Sequence, residues 1–175
     1  MHVSVVVETL LEHLDEIGFL WSQRADALCS PDDREQDVGE LEHRIAAHLD
    51  GLLVAGDQCV ELAVPRLGDE DRFTAFAAAW CLAQLGVFEP MIRQLEQCNL
   101  DAISEAFCHS CIDTVQIQLK EIYQNADAVV ASAIGLVFAT HQKSLTTNRL
   151  QEFLGHKDPR VRKRAWDTIS RSRNA

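Results

Sequence analysis

Leu150–Ile169, LQEFLGHKDPRVRKRAWDTI, is the stretch from which the fold of this 175-residue chain is read. It predicts two short helices joined by a tight bend. Leu150, Phe153 and Leu154 place an apolar stripe on the first helix. Gly155 is expected to close it, because glycine tolerates the left-handed backbone angles of a helix C-cap. Asp158 is placed to accept hydrogen bonds from the orphan amides of the second helix, and Pro159 fits a first turn that needs no amide donor. Val161, Ala165 and Ile169 recur at helical spacing and predict a buried face. A hairpin of this kind cannot hide its apolar surface alone. It needs neighbours of the same kind, which is the logic of a helical repeat.

The pattern Leu154-Gly155-x-x-Asp158-Pro159-x-Val161-Arg162-x-x-Ala165 resembles the HEAT repeat. The resemblance implies that Asp158 caps the second helix and that Arg162 bonds to neighbouring repeats. The same capping chemistry also serves an ordinary helix hairpin. Working outward, Gly68-Asp69-Glu70-Asp71 aligns with Gly155-His156-Lys157-Asp158, so a hairpin is expected from Cys59–Leu67 and Phe73–Leu85. Apolar residues surround Phe73–Leu85 on nearly all sides, as in a helix sandwiched between neighbours. Pro65 is expected to kink the first arm. Further pairs are read at Pro90–Gln97 with Leu100–Cys111, where Asn99 is a cap, and at Asp113–Tyr123 with Ala126–Thr140. Bends at Gly68, Cys98, Asn125 and Gly155 recur about every 30 residues, within the range of short helical repeats.

The front of the chain is amphipathic. Val3, Val6, Leu10, Leu14 and Ile17 form one face of a helix expected to break near Gly18, with Phe19, Leu20 and Trp21 anchoring its end. Ala25–Gly39 is expected to be an exposed loop with room for one short turn of helix, because it is polar and contains Pro31. Val38–Val54 reads as a clear helix with Leu41, Ile45, His48, Leu49 and Leu52 on one face. Gly51 within it predicts a closely packed neighbour, and His48 reads as a hydrogen-bonded core histidine rather than a ligand. No segment shows convincing two-residue alternation, so the expected class is all-α: a short HEAT-like solenoid of stacked antiparallel hairpins. The expected domain is single, residues 1–175, with acidic N-terminal helices and loop over 1–56 and HEAT-like hairpins over 57–175.

A second resemblance covers the first third to half of the chain. Phe19-Leu20-Trp21 with Arg24, then Leu41-x-x-Arg44-x-x-Ala47-His48-Leu49-Asp50-Gly51-Leu52-x-x-Ala55-Gly56, is similar to the start of a bacterial HEAT-repeat family. Members are often encoded near type VI secretion components. That family supplies no catalytic residues to carry over.

The formal net charge is −11 and unevenly spread. Residues through Asp71 carry 17 acids and 4 arginines, and residues from Lys143 onward carry 9 bases and 3 acids. An acidic front repels nucleic acid and attracts a basic protein. Charge that merely keeps the chain soluble is the plainer alternative. The basic end offers Lys157, Arg160, Arg162, Lys163, Arg164, Arg171 and Arg173 for phosphates, but repeat chemistry and helix C-termini explain part of it. Direct nucleic-acid binding is not expected.

Chemistry is sparse. No glycine-rich phosphate loop, Gly-x-Ser-x-Gly elbow or His-Glu-x-x-His pair is present. The six cysteines, Cys29, Cys59, Cys81, Cys98, Cys108 and Cys111, are scattered among mostly apolar neighbours and are expected to be reduced thiols. Cys108-His109-Ser110-Cys111 invites a zinc reading, but a structural site needs four ligands and no second pair follows. No metal and no cofactor are expected. Met1–Leu14 lacks the basic start of a secretory signal, and no apolar run is long enough to span a bilayer, so a soluble cytoplasmic protein is expected.

The expected function is non-catalytic protein binding through an acidic surface. The secretion-linked resemblance implies a sharper version, an immunity protein that neutralises a type VI toxin, for example a nuclease with a positive substrate face. The candidate surface is Asp32, Asp33, Glu35, Asp37 and Glu40, with Asp69, Glu70 and Asp71. Trp21, Trp80 and Trp166 read as core rather than as anchors. The alternatives are a secretion adaptor or chaperone for an effector, and a scaffold or lyase-like HEAT protein acting on a cofactor-bearing partner.

Overall fold

Arg72–Gln84 illustrates how completely helices account for this chain. Ala75–Ala79 and Cys81–Ala83 along it are all buried, which requires packing on every side. The structure, a computed structural model, describes residues 2–30 and 35–173, and their side chains over 6–30 and 37–172. Among the described residues there are ten α-helices, one 3₁₀ stretch and no strand. In chain order the helices are α1 (His2–Cys29), α2 (Glu35–Ala55), α3 (Asp57–Ala63), α4 (Arg72–Gln84), α5 (Glu89–Arg93), α6 (Leu100–Cys108), α7 (Gln116–Asn125), α8 (Ala128–Thr140), α9 (Thr147–Leu154) and α10 (Pro159–Arg173). None of them is long and apolar enough to cross a membrane. The contacts group into two compact units, Met1–Ile103 and Ser104–Ala175.

In the first unit α1 packs on α2 and α4. It runs unbroken for 28 residues, through Gly18 and on through Ala25–Cys29. The expected break at Gly18 is absent because the glycine serves a close approach instead. A Cβ there would sit 3.1 Å from the backbone oxygen of Phe73. The expected loop over Ala25–Gly39 shrinks accordingly, since Ala25–Cys29 belongs to α1 and Glu35–Gly39 to α2. Leu10, Leu14, Ile17 and Leu20 bury the inner face of α1. Trp21 stacks on Phe76 at 4.4 Å between centroids, and Trp80 lies within 5.6 Å of both rings. These aromatic contacts add to the area they bury. Gly51 lies against the His13 ring, with a virtual Cβ 3.1 Å from Nε2, as its place mid-helix predicts.

The arm before α4 is α3 followed by a 3₁₀ stretch, Val64–Gly68, with Pro65 in its first turn. Proline ends the α-helix here rather than kinking it, because it supplies no amide for the next turn. The Asp71 carboxylate then caps α4, accepting from the Thr74 amide at 2.9 Å and its hydroxyl at 2.7 Å. Gly86, at φ 74°, closes the other end of α4 through Val87 N–H to Leu82 O. The helix read over Pro90–Gln97 is the shorter α5. Asn99 Oδ1 accepts from the Ala102 amide at 3.2 Å, as a cap of α6.

In the second unit α8 is enclosed, with Val130–Gly135 and Val137–Ala139 buried. Asp127 caps it, one oxygen accepting from the Val129 and Val130 amides at 2.9 Å each. Arg164, only 7% exposed on α10, donates to Val129 O at 2.9 Å. Arg149 on α9 donates to Tyr123 O and Ala126 O, satisfying carbonyls at the end of α7. The α9–α10 hairpin forms as its sequence predicts: Gly155 follows α9, and Asp158 accepts from the Arg160 amide at 2.8 Å. Two details differ. Gly155 has φ −89°, so the bend needs no left-handed residue. Arg162 donates to His156 O and Lys157 O of its own bend. Trp166, read as core, is 63% exposed; the buried face of α10 runs through Val161, Ala165 and the polar Thr168, while Ile169, expected on that face, is only half-buried.

Candidate functional site: an acidic groove on the α1–α2 hairpin

Two hollows lie where α1 and α2 run side by side in the first unit. One, about 640 Å³, is lined by Glu12, His13, Asp15 and Glu16 from α1 and by Arg44 and His48 from α2. The other, about 380 Å³, is lined by Gln23, Asp26 and Ala27 from α1 and by Asp37, Glu40, Leu41 and Arg44 from α2. Of their α1 residues, Glu12, Glu16, Gln23 and Asp26 fall on one stripe, on which helical spacing also places Phe19, a residue that lines neither hollow. Asp37, Leu41, Arg44 and His48 form the matching stripe on α2. Arg44 lines both hollows, so they lie next to one another along the hairpin and are described together as one groove.

Six carboxylates line the groove against the one guanidinium of Arg44. Asp15 is paired with Arg66. Arg24 donates to Glu42 at 2.7 Å across the hairpin while its guanidinium lies 4.6 Å from the centre of the Trp21 ring. That contact bridges the two helices beside the groove. Phe19, on the same stripe of α1, is 56% exposed. The groove is therefore acidic with one apolar projection, and its few apolar lining residues make it unlike the sites that enclose small molecules.

His13 and His48 join the helices directly, Nδ1 to Nδ1 at 2.8 Å, with ring centroids 5.1 Å apart. One ring must donate and the other accept, so the bond exists only while at least one imidazole is neutral. Burial, the neighbouring His13 and Arg44 all hold the His48 pKa below its ordinary value, against an opposing pull from Glu16. His48 is thus hydrogen-bonded as its position predicts, but it lines the hollow half-buried instead of lying in the core, because its partner His13 stands at the edge of α1's buried face. His13 was not singled out by sequence reasoning, although its spacing from Leu10 and Ile17 places it at the edge of the buried face of α1. Its partner is 35 residues away, and no local pattern reveals that.

Of the candidate surface residues, Asp37 and Glu40 line the groove and are exposed. Asp32 and Asp33 lie outside the described residues, as does the side chain of Glu35. Asp69, Glu70 and Asp71 are exposed at the bend before α4 and line neither hollow. Asp71 has its pKa lowered by the Thr74 hydroxyl and amide, and Asp69 Oδ1 accepts from the Asp71 amide at 2.9 Å. Both are occupied in shaping the bend. Glu12, Asp15, Glu16 and Asp26 are the groove acids that the reading missed. Their signal was present as an acidic stripe on α1, but only the pairing of α1 with α2 turns two polar faces into one groove.

No group of three or more His, Cys, Asp or Glu side chains among the described residues is arranged to hold a metal. The cysteines of Cys108-His109-Ser110-Cys111 diverge. α6 ends at Cys108, whose sulfur accepts from Thr140 Oγ1 at 3.5 Å, whereas Cys111 is exposed and faces Asp113 at 3.7 Å. The chain matches no family model, no curated protein and no solved structure.

Proposed function

We propose that this protein is a non-catalytic binding module whose α1–α2 groove captures a basic protein surface. The observation that carries this reading is the set of six carboxylates lining the two hollows that share Arg44, with the exposed Phe19 on the same stripe of α1. A dense negative field speeds encounter with a cationic partner, and a part-exposed aromatic ring is a common energetic anchor at an interface. The finer architecture belongs to the same proposal: the hairpins stack as a short HEAT-like solenoid. Support comes from the repeated Gly-x-x-Asp bend, whose aspartate caps α4 in one hairpin and α10 in another.

The resemblance to secretion-linked HEAT proteins sharpens the proposal. The partner is a toxin delivered by a type VI system, and this chain is its cytoplasmic immunity protein, masking a positively charged active face such as that of a nuclease. Co-expression with the product of an adjacent toxin gene is the test. Rescue of growth by the native chain, lost when Asp26, Asp37 and Glu40 are all changed to Lys, is the expected result. A complex that forms without rescue identifies an adaptor or chaperone instead. Full rescue by the triple variant removes the groove from the interface.

A further inference from the structure

Cys59 on α3 and Cys81 on α4 are both fully buried, and their sulfur atoms stand 2.8 Å apart. A disulfide holds its sulfurs at about 2.05 Å, and two unbonded sulfur atoms ordinarily rest well beyond 2.8 Å. The pair is therefore held closer than packing alone requires. It is also set apart from the other cysteines: Cys29 and Cys111 are exposed, and Cys98 and Cys108 are half-buried.

We propose that Cys59 and Cys81 are a redox pair that closes to an intramolecular disulfide with a peroxide as oxidant. The two thiols are not equivalent. The contact admits either sulfur as donor; with the Cys81 S–H donating, the hydrogen bond lowers the pKa of Cys59 and, together with burial, raises that of Cys81. In that arrangement Cys59 is the nucleophile and Cys81 the resolving thiol. With hydrogen peroxide, Cys59 Sγ attacks one peroxide oxygen and the O–O bond breaks. The departing hydroxide takes up a proton as water, leaving Cys59 as a sulfenic acid. Cys81 Sγ then attacks Cys59 Sγ: the S–S bond forms, the S–O bond breaks, and hydroxide leaves with the Cys81 proton as a second water. Two thiols and one peroxide become one disulfide and two waters.

The closed bond ties α3 to α4 and encloses the 3₁₀ stretch and the Asp69–Asp71 bend in a covalent loop. Burial of both sulfurs restricts the chemistry to a small oxidant and protects the product from bulky thiols.

The test uses the whole reduced chain, treated with equimolar hydrogen peroxide, unfolded in an alkylating agent and weighed. Expected are four alkylated cysteines instead of six and, after trypsin, a linked pair of the peptides Ile45–Arg66 and Phe73–Arg93, which carry one cysteine each. Changing both Cys29 and Cys111 to Ser should leave that linkage unchanged, whereas Cys59→Ala should abolish it. Alkylation of both Cys59 and Cys81 after peroxide, in protein where Cys29 or Cys111 has been oxidised, overturns the proposal. So does a linkage joining Cys59 to any other cysteine.

Discussion

Acid should loosen the α1–α2 hairpin through the His13–His48 bond. The folded-state pKa of His48 lies below its ordinary value, so as pH falls the unfolded chain takes up this proton first. The contribution to stability is therefore fully present above about pH 6.5 and is lost as pH falls from there toward the folded pKa. The magnitude follows from geometry. Two imidazolium rings with centroids 5.1 Å apart repel by about 0.8 kcal/mol at the dielectric constant of water, and by about 3 kcal/mol at an effective value of 20. The hollow is open and lined by Glu12, Asp15 and Glu16, which favours the lower figure. Adding roughly 1 kcal/mol for the lost hydrogen bond gives a cost of about 2 kcal/mol, or roughly 4–8 °C in Tm for a chain of this size. Melting curves between pH 8 and pH 5 for the native chain, His13→Gln and His48→Gln provide the assay. Other groups titrate over this range, so the readout is the difference between native and variant at each pH. The variants should lose less stability in acid by about that amount. Parallel Tm profiles for all three proteins would refute the reasoning.

Gly18→Ala should destabilise by about 1–3 kcal/mol despite the better helix propensity of alanine. The added Cβ would meet the Phe73 carbonyl at 3.1–3.2 Å, and backbone in a capped first turn cannot easily give way; chemical denaturation measures the loss. Gln142→Gly should stabilise by about 0.5–1 kcal/mol, because Gln142 holds φ 55° at the turn after α8, a conformation that costs a side-chain-bearing residue but not glycine. A lower midpoint for that variant would show that the Gln142 side chain contributes more than its backbone strain removes.

Local chemistry was legible in the chain, and longer-range pairing was not. Asp158 before Pro159, Asn99 before Leu100 and the spacing of Val161 and Ala165 each name a helix end or face, because capping and amphipathic periodicity act over three or four residues. The all-helical class and the hairpin bends follow from such short-range signals. Gly18 shows the limit. A glycine flanked by an aromatic run reads as a break, and only the tertiary structure shows that it makes room, within a continuous α1, for the backbone of Phe73, 55 positions away. The same holds for Trp166, whose exposure depends on which face of α10 meets α8. The groove is decided at the same level: Glu12, Glu16 and Asp26 are solvated acids on one helix until α2 brings Asp37, Glu40 and Arg44 alongside. His13 with His48, and Cys59 with Cys81, are likewise pairs made by tertiary packing, since nothing within one turn of any of the four specifies its partner.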